Sequence, residues 1–288
     1  MDSNSRLRAQ MLSQFTQYQS STFHYLFADR GDKVVVCFHG YDEHAGSYEL
    51  PAELIPDHYS VISLDLPAHG RTEWREPSAF DAAAAWNIIG MICDKHSKRK
   101  DEVVLSGFSL GGRIALALYS FRPEAVDRLL LFAPDGLTYY RWYGFVTRSR
   151  IGRGLFKFTV TNPGWLLSAI RLGKKLRVLN PGTSKFSLYY LQEHASRALL
   201  FERWSGTRKL SVAPAVLSKQ LKEFKTKMLL VYGTYDRIVR PVTGHRFCSK
   251  TGGNCRVIEI SCGHQVFQQK NRAYLAEIIS NELGSANQ

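Results

Sequence analysis

Short runs rich in aliphatic residues recur along the chain at residues 33–38, 60–66, 103–108, 128–133, 228–232 and 256–260 and read as strands. Residues 33–38 are a continuous β-branched run, the pattern of a strand covered on both faces. Residues 22–27 read as an outer strand closed by the turn signal Asp29-Arg30-Gly31-Asp32. Between the strands the period lengthens to that of helices. One runs to about Lys95 with Ser78 placed to cap it, and one follows residue 109 to about Phe121. Others run from Pro214 to about Phe224, after Pro241, and up to about Leu283. Residues 1–20 are polar and read as an N-terminal helix or a loose tail. The alternation predicts an α/β fold, a mostly parallel central sheet with helices on both faces. Functional groups in such folds gather at the C-terminal ends of the strands.

The alternation stops between residues 136 and 213, so the chain divides into a core of residues 21–135 and 214–288 and an inserted segment. Charge sharpens that division. Of a formal net charge of +13, the stretch 141–209 supplies fourteen Lys and Arg against only Glu193 and Glu202. Thirteen aromatic residues are mixed into it between Tyr139 and Trp204. Trp165, Ala169, Leu172, Leu176 and Leu179 recur at helical spacing with Arg171, Lys174 and Lys175 mostly opposite. This reads as a helix packing by its apolar face with its charges in water. The sharper reading is a surface that makes peripheral contact with an anionic membrane or docks on an acidic partner. No nucleic-acid recognition motif accompanies the charge, so no nucleic acid is expected.

No run approaches the length of a membrane span, and Met1 to Arg8 lead into Gln and Ser rather than an apolar stretch, so no secretory leader is expected. Cys37, Cys93, Cys248, Cys255 and Cys262 are odd in number and lack C-x-x-C spacing. They read as reduced thiols of a cytoplasmic protein, without a zinc site, the alternative being a disulfide between two of the last three. No phosphate-cradling glycine loop or metal-ligand cluster stands out, and no cofactor is expected.

Candidate chemistry centres on Gly107-Phe108-Ser109-Leu110-Gly111, between an apolar strand and an apolar helix start. A serine so placed sits on a sharp strand-to-helix turn, its hydroxyl beside the free N–H groups of a helix N-terminus. A serine hydroxyl needs an imidazole to take its proton and a carboxylate to hold that imidazole in the right tautomer. Asp236 and His264 each follow a strand, in the chain order Ser…Asp…His. Asp135 also ends a strand and is the rival acid. After the first central strand, His39-Gly40-Tyr41 is placed to offer the Tyr41 N–H, alongside that of Leu110, to a developing oxyanion. His39, His69 and Asp65 read as structural.

These residues, with Asp65-Leu-Pro-Ala-His-Gly70-Arg-Thr, Gly233-Thr-Tyr-Asp236 and Gly263-His264, resemble the α/β-hydrolase fold superfamily. The stretch His39-Gly-Tyr-Asp-Glu-His44 also looks like monoglyceride-lipase-like members, except that Tyr41 and Asp42 stand where small residues are usual. The resemblance implies an α/β-hydrolase fold with a helical cap at residues 136–213. Ser109 would be nucleophile, Asp236 acid and His264 base. The implied reaction is hydrolysis of a small-molecule ester with an apolar acyl group. The same three groups also serve C–C bond hydrolases, thioesterases and peptidases, and a non-catalytic receptor could keep the pocket alone.

Overall fold

A computed structural model of the chain describes residues 10–138, 141–175, 191 and 193–284. Its strands are β1 (Leu12–Tyr18), β2 (Ser21–Ala28), β3 (Lys33–Phe38), β4 (Tyr59–Leu64), β5 (Val103–Phe108), β6 (Val126–Phe132), β7 (Lys227–Gly233) and β8 (Cys255–Ile260). Among the described residues the helices are α1 (Glu49–Leu54), α2 (Ala82–Lys95), α3 (Leu110–Phe121), α4 (Arg141–Arg148), α5 (Arg150–Thr161), α6 (Gly164–Lys175), α7 (His194–Gly206), α8 (Pro214–Phe224), α9 (Pro241–Cys248) and α10 (Arg272–Leu283).

The eight strands form one sheet in the order β1-β2-β4-β3-β5-β6-β7-β8. From β4 to β8 every pairing is parallel, while β1 and β2 add an antiparallel edge. All six residues of β5 are buried, as its unbroken apolar run requires of a strand with neighbours on both sides. Helix α2 buries Trp86, Ile88, Ile89 and Ile92, and Trp86 Nε1 donates to the Leu118 carbonyl at 3.0 Å, tying it to α3.

Three sequence expectations are corrected. Residues 12–18 of the polar N-terminal segment are a strand, not a helix or tail. Leu12, Phe15 and Tyr18 are spaced like a helix face, but a tight turn with Gln19 at φ +53° lays them against β2 as a hairpin. Helix α2 is capped not by Ser78 but by Asp81, whose carboxylate accepts the Ala84 N–H at 3.1 Å. Cys248 and Cys255 are not reduced thiols: they form a disulfide between the end of α9 and the start of β8, with Cα atoms 4.9 Å apart. The turn between those elements brings the two cysteines together, which their spacing does not announce. Cys37, Cys93 and Cys262 are free and buried.

The chain divides into two compact units, one of residues 1–77, 81–139 and 210–288 and the other of residues 78–80 and 140–209. In the second, α5 packs on α7 through Phe156, whose ring lies 5.1 Å from Phe201 and 5.7 Å from Trp204. Buried Arg197 donates to the Val160 and Leu191 carbonyls, each at 2.8 Å. The apolar stripe expected to pack in α6 does the opposite over its described part. Trp165 and Leu172 are 47% and 57% exposed, and Ile170, on the other side of the helix, is the buried residue. Periodicity finds a face but does not say which face receives a partner. Leu176 and Leu179 lie outside the described residues. No described helix is long and apolar enough to cross a membrane.

Candidate functional site

Ser109 stands alone in the turn between β5 and α3, at φ +50° and ψ −113°. A side-chain-bearing residue holds such a conformation only when its surroundings impose it. Here the Ser109 N–H donates to the Phe132 carbonyl at 3.0 Å, and its own carbonyl accepts from Gly112 at 3.0 Å and Asp135 at 2.9 Å. The flanking residues must be glycine. A Cβ on Gly107 would lie 2.4 Å from the Gly111 carbonyl oxygen, and one on Gly111 would lie 1.9 Å from that of Phe38. Leu110 opens α3, so its N–H belongs to the first turn, where no intrahelical acceptor exists.

Asp236 and His264 arrive from the loops after β7 and β8. These strands pair in parallel, and the pairing continues into the loops, where the Thr234 N–H donates to the Ile260 carbonyl at 2.9 Å and the Tyr235 N–H to that of Cys262 at 3.0 Å. His264 Nδ1 thereby comes 2.7 Å from Asp236 Oδ2, and His264 Nε2 comes 3.0 Å from Ser109 Oγ. The other Asp236 oxygen accepts the Ile238 and Val239 N–H groups at 2.7 and 2.9 Å. A carboxylate with that role accepts the Nδ1 proton, so Nε2 presents its lone pair to the serine hydroxyl. The Asp236 side chain is fully covered and that of His264 is 15% exposed. Phe108 lies 5.1 Å from the imidazole, and Phe267 packs on Phe108, Phe132 and Tyr48 at 5.4, 4.8 and 5.0 Å, an apolar wall behind the histidine loop.

The rival acid, Asp135, turns instead to Arg113, 3.5 Å away. His39 is fully buried and ties the loop after β3 in place: its Nε2 accepts the Leu66 N–H at 3.1 Å and its Nδ1 faces the Gly40 carbonyl at 2.8 Å. Tyr41 lies in the turn that follows, its ring edge-on to His69 at 6.1 Å. One contributor escaped the sequence reading. Glu43 accepts the Gly40 N–H at 2.9 Å and the Gln265 side chain at 2.7 Å, joining the loop of Tyr41 to the residue beside His264. Its three-residue spacing from Gly40 was the available signal. Cysteine is no rival to the serine, because burial pushes the Cys37 and Cys262 thiols up and the Cys93 thiol to about 11. Among the described residues no cluster of His, Cys, Asp and Glu is arranged to hold a metal ion.

Known proteins carry the same framework. The chain is 25% identical over 247 residues to the uncharacterized hydrolase YugF of Bacillus subtilis, covering 82% of this chain and 84% of that one. It is 30% identical to the lipase LipV of Mycobacterium tuberculosis over a shorter stretch, 38% of this chain and 40% of that one. Among solved structures, an esterase from Thermogutta terrifontis superposes with a TM-score of 0.63 at 17% identity, covering 96% of this chain and 98% of that one. An α/β hydrolase from a deep-sea metagenome of the Medee basin does so with a TM-score of 0.65 at 14% identity, covering 96% and 98%. The alpha/beta hydrolase family model matches residues 35–278, from within β3 to within α10, a span that holds the serine turn, the Asp236 loop and the histidine loop, and the chain belongs to the alpha/beta hydrolase family.

Proposed function

We propose that the chain is a serine hydrolase of carboxylic esters with an apolar acyl group, acting through an acyl-enzyme. The observation that carries this reading is the unbroken chain of hydrogen bonds from Asp236 through His264 to Ser109, 2.7 and 3.0 Å long. Ser109 Oγ attacks the ester carbonyl while His264 Nε2 takes its proton, then returns it to the leaving alcohol. Asp236 fixes the tautomer and stabilises the imidazolium that forms. The Leu110 and Tyr41 N–H groups meet the oxyanion. Water then repeats the sequence on the acyl-enzyme.

The test is labelling with a fluorophosphonate probe followed by turnover of p-nitrophenyl esters from acetyl to dodecanoyl. Ser109→Ala and His264→Ala are each expected to abolish labelling at residue 109 and to lower kcat by on the order of 10⁴-fold or more. A folded wild-type chain without label at Ser109 would overturn the reading in favour of a non-catalytic receptor. A thioester, an anilide or a C–C substrate with the same acyl group, turned over faster than the ester, would replace the bond but not the nucleophile.

We further propose that the basic unit docks on an anionic lipid surface. Ile151, Leu155 and Phe158 recur at spacings of four and three on the exposed face of α5, with Ile151 78% and Phe158 54% exposed. Residues 141–175 carry eight Lys and Arg and no acid. Apolar side chains set among cations suit the boundary between headgroups and acyl chains. A second copy of so basic a surface would repel it. Co-sedimentation with phosphatidylcholine vesicles is expected to require added phosphatidylserine and to weaken in Ile151→Glu. Binding indifferent to anionic lipid, or none, would sink the proposal.

A further inference from the structure

A second Ser–His–Asp arrangement stands at the antiparallel edge of the sheet, away from Ser109. In the β1–β2 hairpin Phe15 pairs with His24 and Ser13 with Leu26, so Ser13, Phe15 and His24 share one face. Ser13 Oγ lies 2.9 Å from His24 Nε2, and His24 Nδ1 lies 2.7 Å from Asp65 Oδ2. The corresponding distances at Ser109 are 3.0 and 2.7 Å.

Proton positions follow from the neighbours. The Arg71 guanidinium donates to Ser13 Oγ at 3.1 Å, and arginine can only donate. Ser13 Oγ is the acceptor there, which leaves its own proton free for His24 Nε2. The Asp65 carboxylate can only accept, so in the neutral imidazole Nδ1 carries the proton and Nε2 the lone pair, the tautomer a general base needs. Asp65 also accepts the Ala45 N–H at 2.6 Å and the Arg71 N–H at 2.7 Å. Burial works against its charge, but these N–H groups and His24 outweigh burial and hold the carboxyl below its usual range. The structural work of Asp65 is complete with those partners. Neither the Ser13 hydroxyl nor the Arg71 guanidinium is needed for it, yet the hydroxyl meets His24 and the guanidinium meets the hydroxyl. The Phe15 ring completes the cluster, 5.0 Å from His24 and 4.6 Å from the Arg71 guanidinium carbon. His24 and Asp65 are buried while Ser13 is exposed, so the relay is covered and the hydroxyl is open to solvent.

We propose that Ser13 is a second nucleophile, one that takes acyl or phosphonyl groups from small, activated esters. Ser13 Oγ bonds to the acyl carbon as His24 Nε2 takes the hydroxyl proton, and the Arg71 guanidinium stabilises the negative charge. Collapse breaks the bond from that carbon to the leaving oxygen, which receives the proton from His24. The products are an ester on Ser13 and a free phenol or alcohol; with a fluorophosphonate the new bond is to phosphorus, the P–F bond breaks, and fluoride leaves with the proton taken by His24. Because the serine stands on an exposed strand face, leaving-group activation rather than binding of a large acyl chain drives the step.

The test uses the full-length Ser109→Ala chain, treated separately with a small fluorophosphonate and with p-nitrophenyl acetate, then digested and read by tandem mass spectrometry. An adduct on the Ser13 peptide is expected to form on the order of a hundredfold faster than on the exposed Ser261 peptide, the scale of general-base assistance. Adding Arg71→Gln, a surface change, is expected to slow it. No adduct at Ser13, or one no faster than at Ser261, overturns the proposal. The two serines are read on separate peptides, so in the wild-type chain label at Ser13 without label at Ser109 would uphold this site and overturn the one proposed above. The reverse result would do the opposite.

Discussion

At the scale of single residues, the geometry around Ser109 leaves little room for substitution. Replacing Asp236 with Asn keeps the side-chain shape and one acceptor for the Ile238 and Val239 N–H groups. It presents the wrong group to His264 Nδ1, so kcat on p-nitrophenyl esters is expected to fall by roughly 10³- to 10⁴-fold while urea unfolding shifts far less. Gly111→Ala works by a different route. Its Cβ would collide with the Phe38 carbonyl, which is β3 backbone and cannot step aside. A loss of about 3 kcal/mol or more is expected, read as a lower urea midpoint. The Gly-x-Ser-x-Gly spacing was legible in the sequence because it serves a local turn. Glu43 was not, because its partners Gly40 and Gln265 meet only when the loops after β3 and β8 are side by side.

Whole elements show where local pattern suffices and where it fails. The strands from β3 to β7 announce themselves because a strand covered on both faces is apolar at most positions, while the edge strand β8 is largely half-exposed and shows only Val257, Ile258 and Ile260. The edge strand β1 has no such demand, and its Leu12, Phe15 and Tyr18 spacing imitates a helix until pairing with β2 fixes it. Asp81 caps α2 three residues beyond the Ser78 that the composition favoured. Asp81→Ala should therefore cost about 1 kcal/mol, measured by thermal unfolding. The Cys248–Cys255 disulfide closes a short loop between α9 and β8. Its reduction is expected to lower stability by about 2 kcal/mol in the loop-entropy account, visible as a lower Tm in reductant.

For the whole molecule, charge and pH are the accessible handles. Asp65 sits below its usual carboxyl range in the folded chain, so its contribution is fully present above the unfolded value of about 4 and fades as pH falls through the folded one. Acidification below about pH 4 is expected to lower the urea midpoint, and Asp65→Asn should flatten that part of the profile. Vesicle binding by the basic unit should weaken as salt is raised from about 0.05 to 0.5 M, since screening shortens the reach of its cations.

The sequence by itself determined the α/β class, the positions of β2 to β8, the serine turn and the placement of the positive charge in one segment. Each is carried by neighbouring residues whose periodicity or spacing answers a local steric or burial demand. Tertiary structure alone decided that His264, 155 residues from Ser109, comes within hydrogen-bonding distance of it. It also decided that Asp236 rather than Asp135 faces that histidine, that the apolar stripe of α6 looks outward, and that Ser13 meets His24 and Asp65. Those outcomes depend on parallel register and hairpin pairing between distant segments, and no stretch of chain carries them alone.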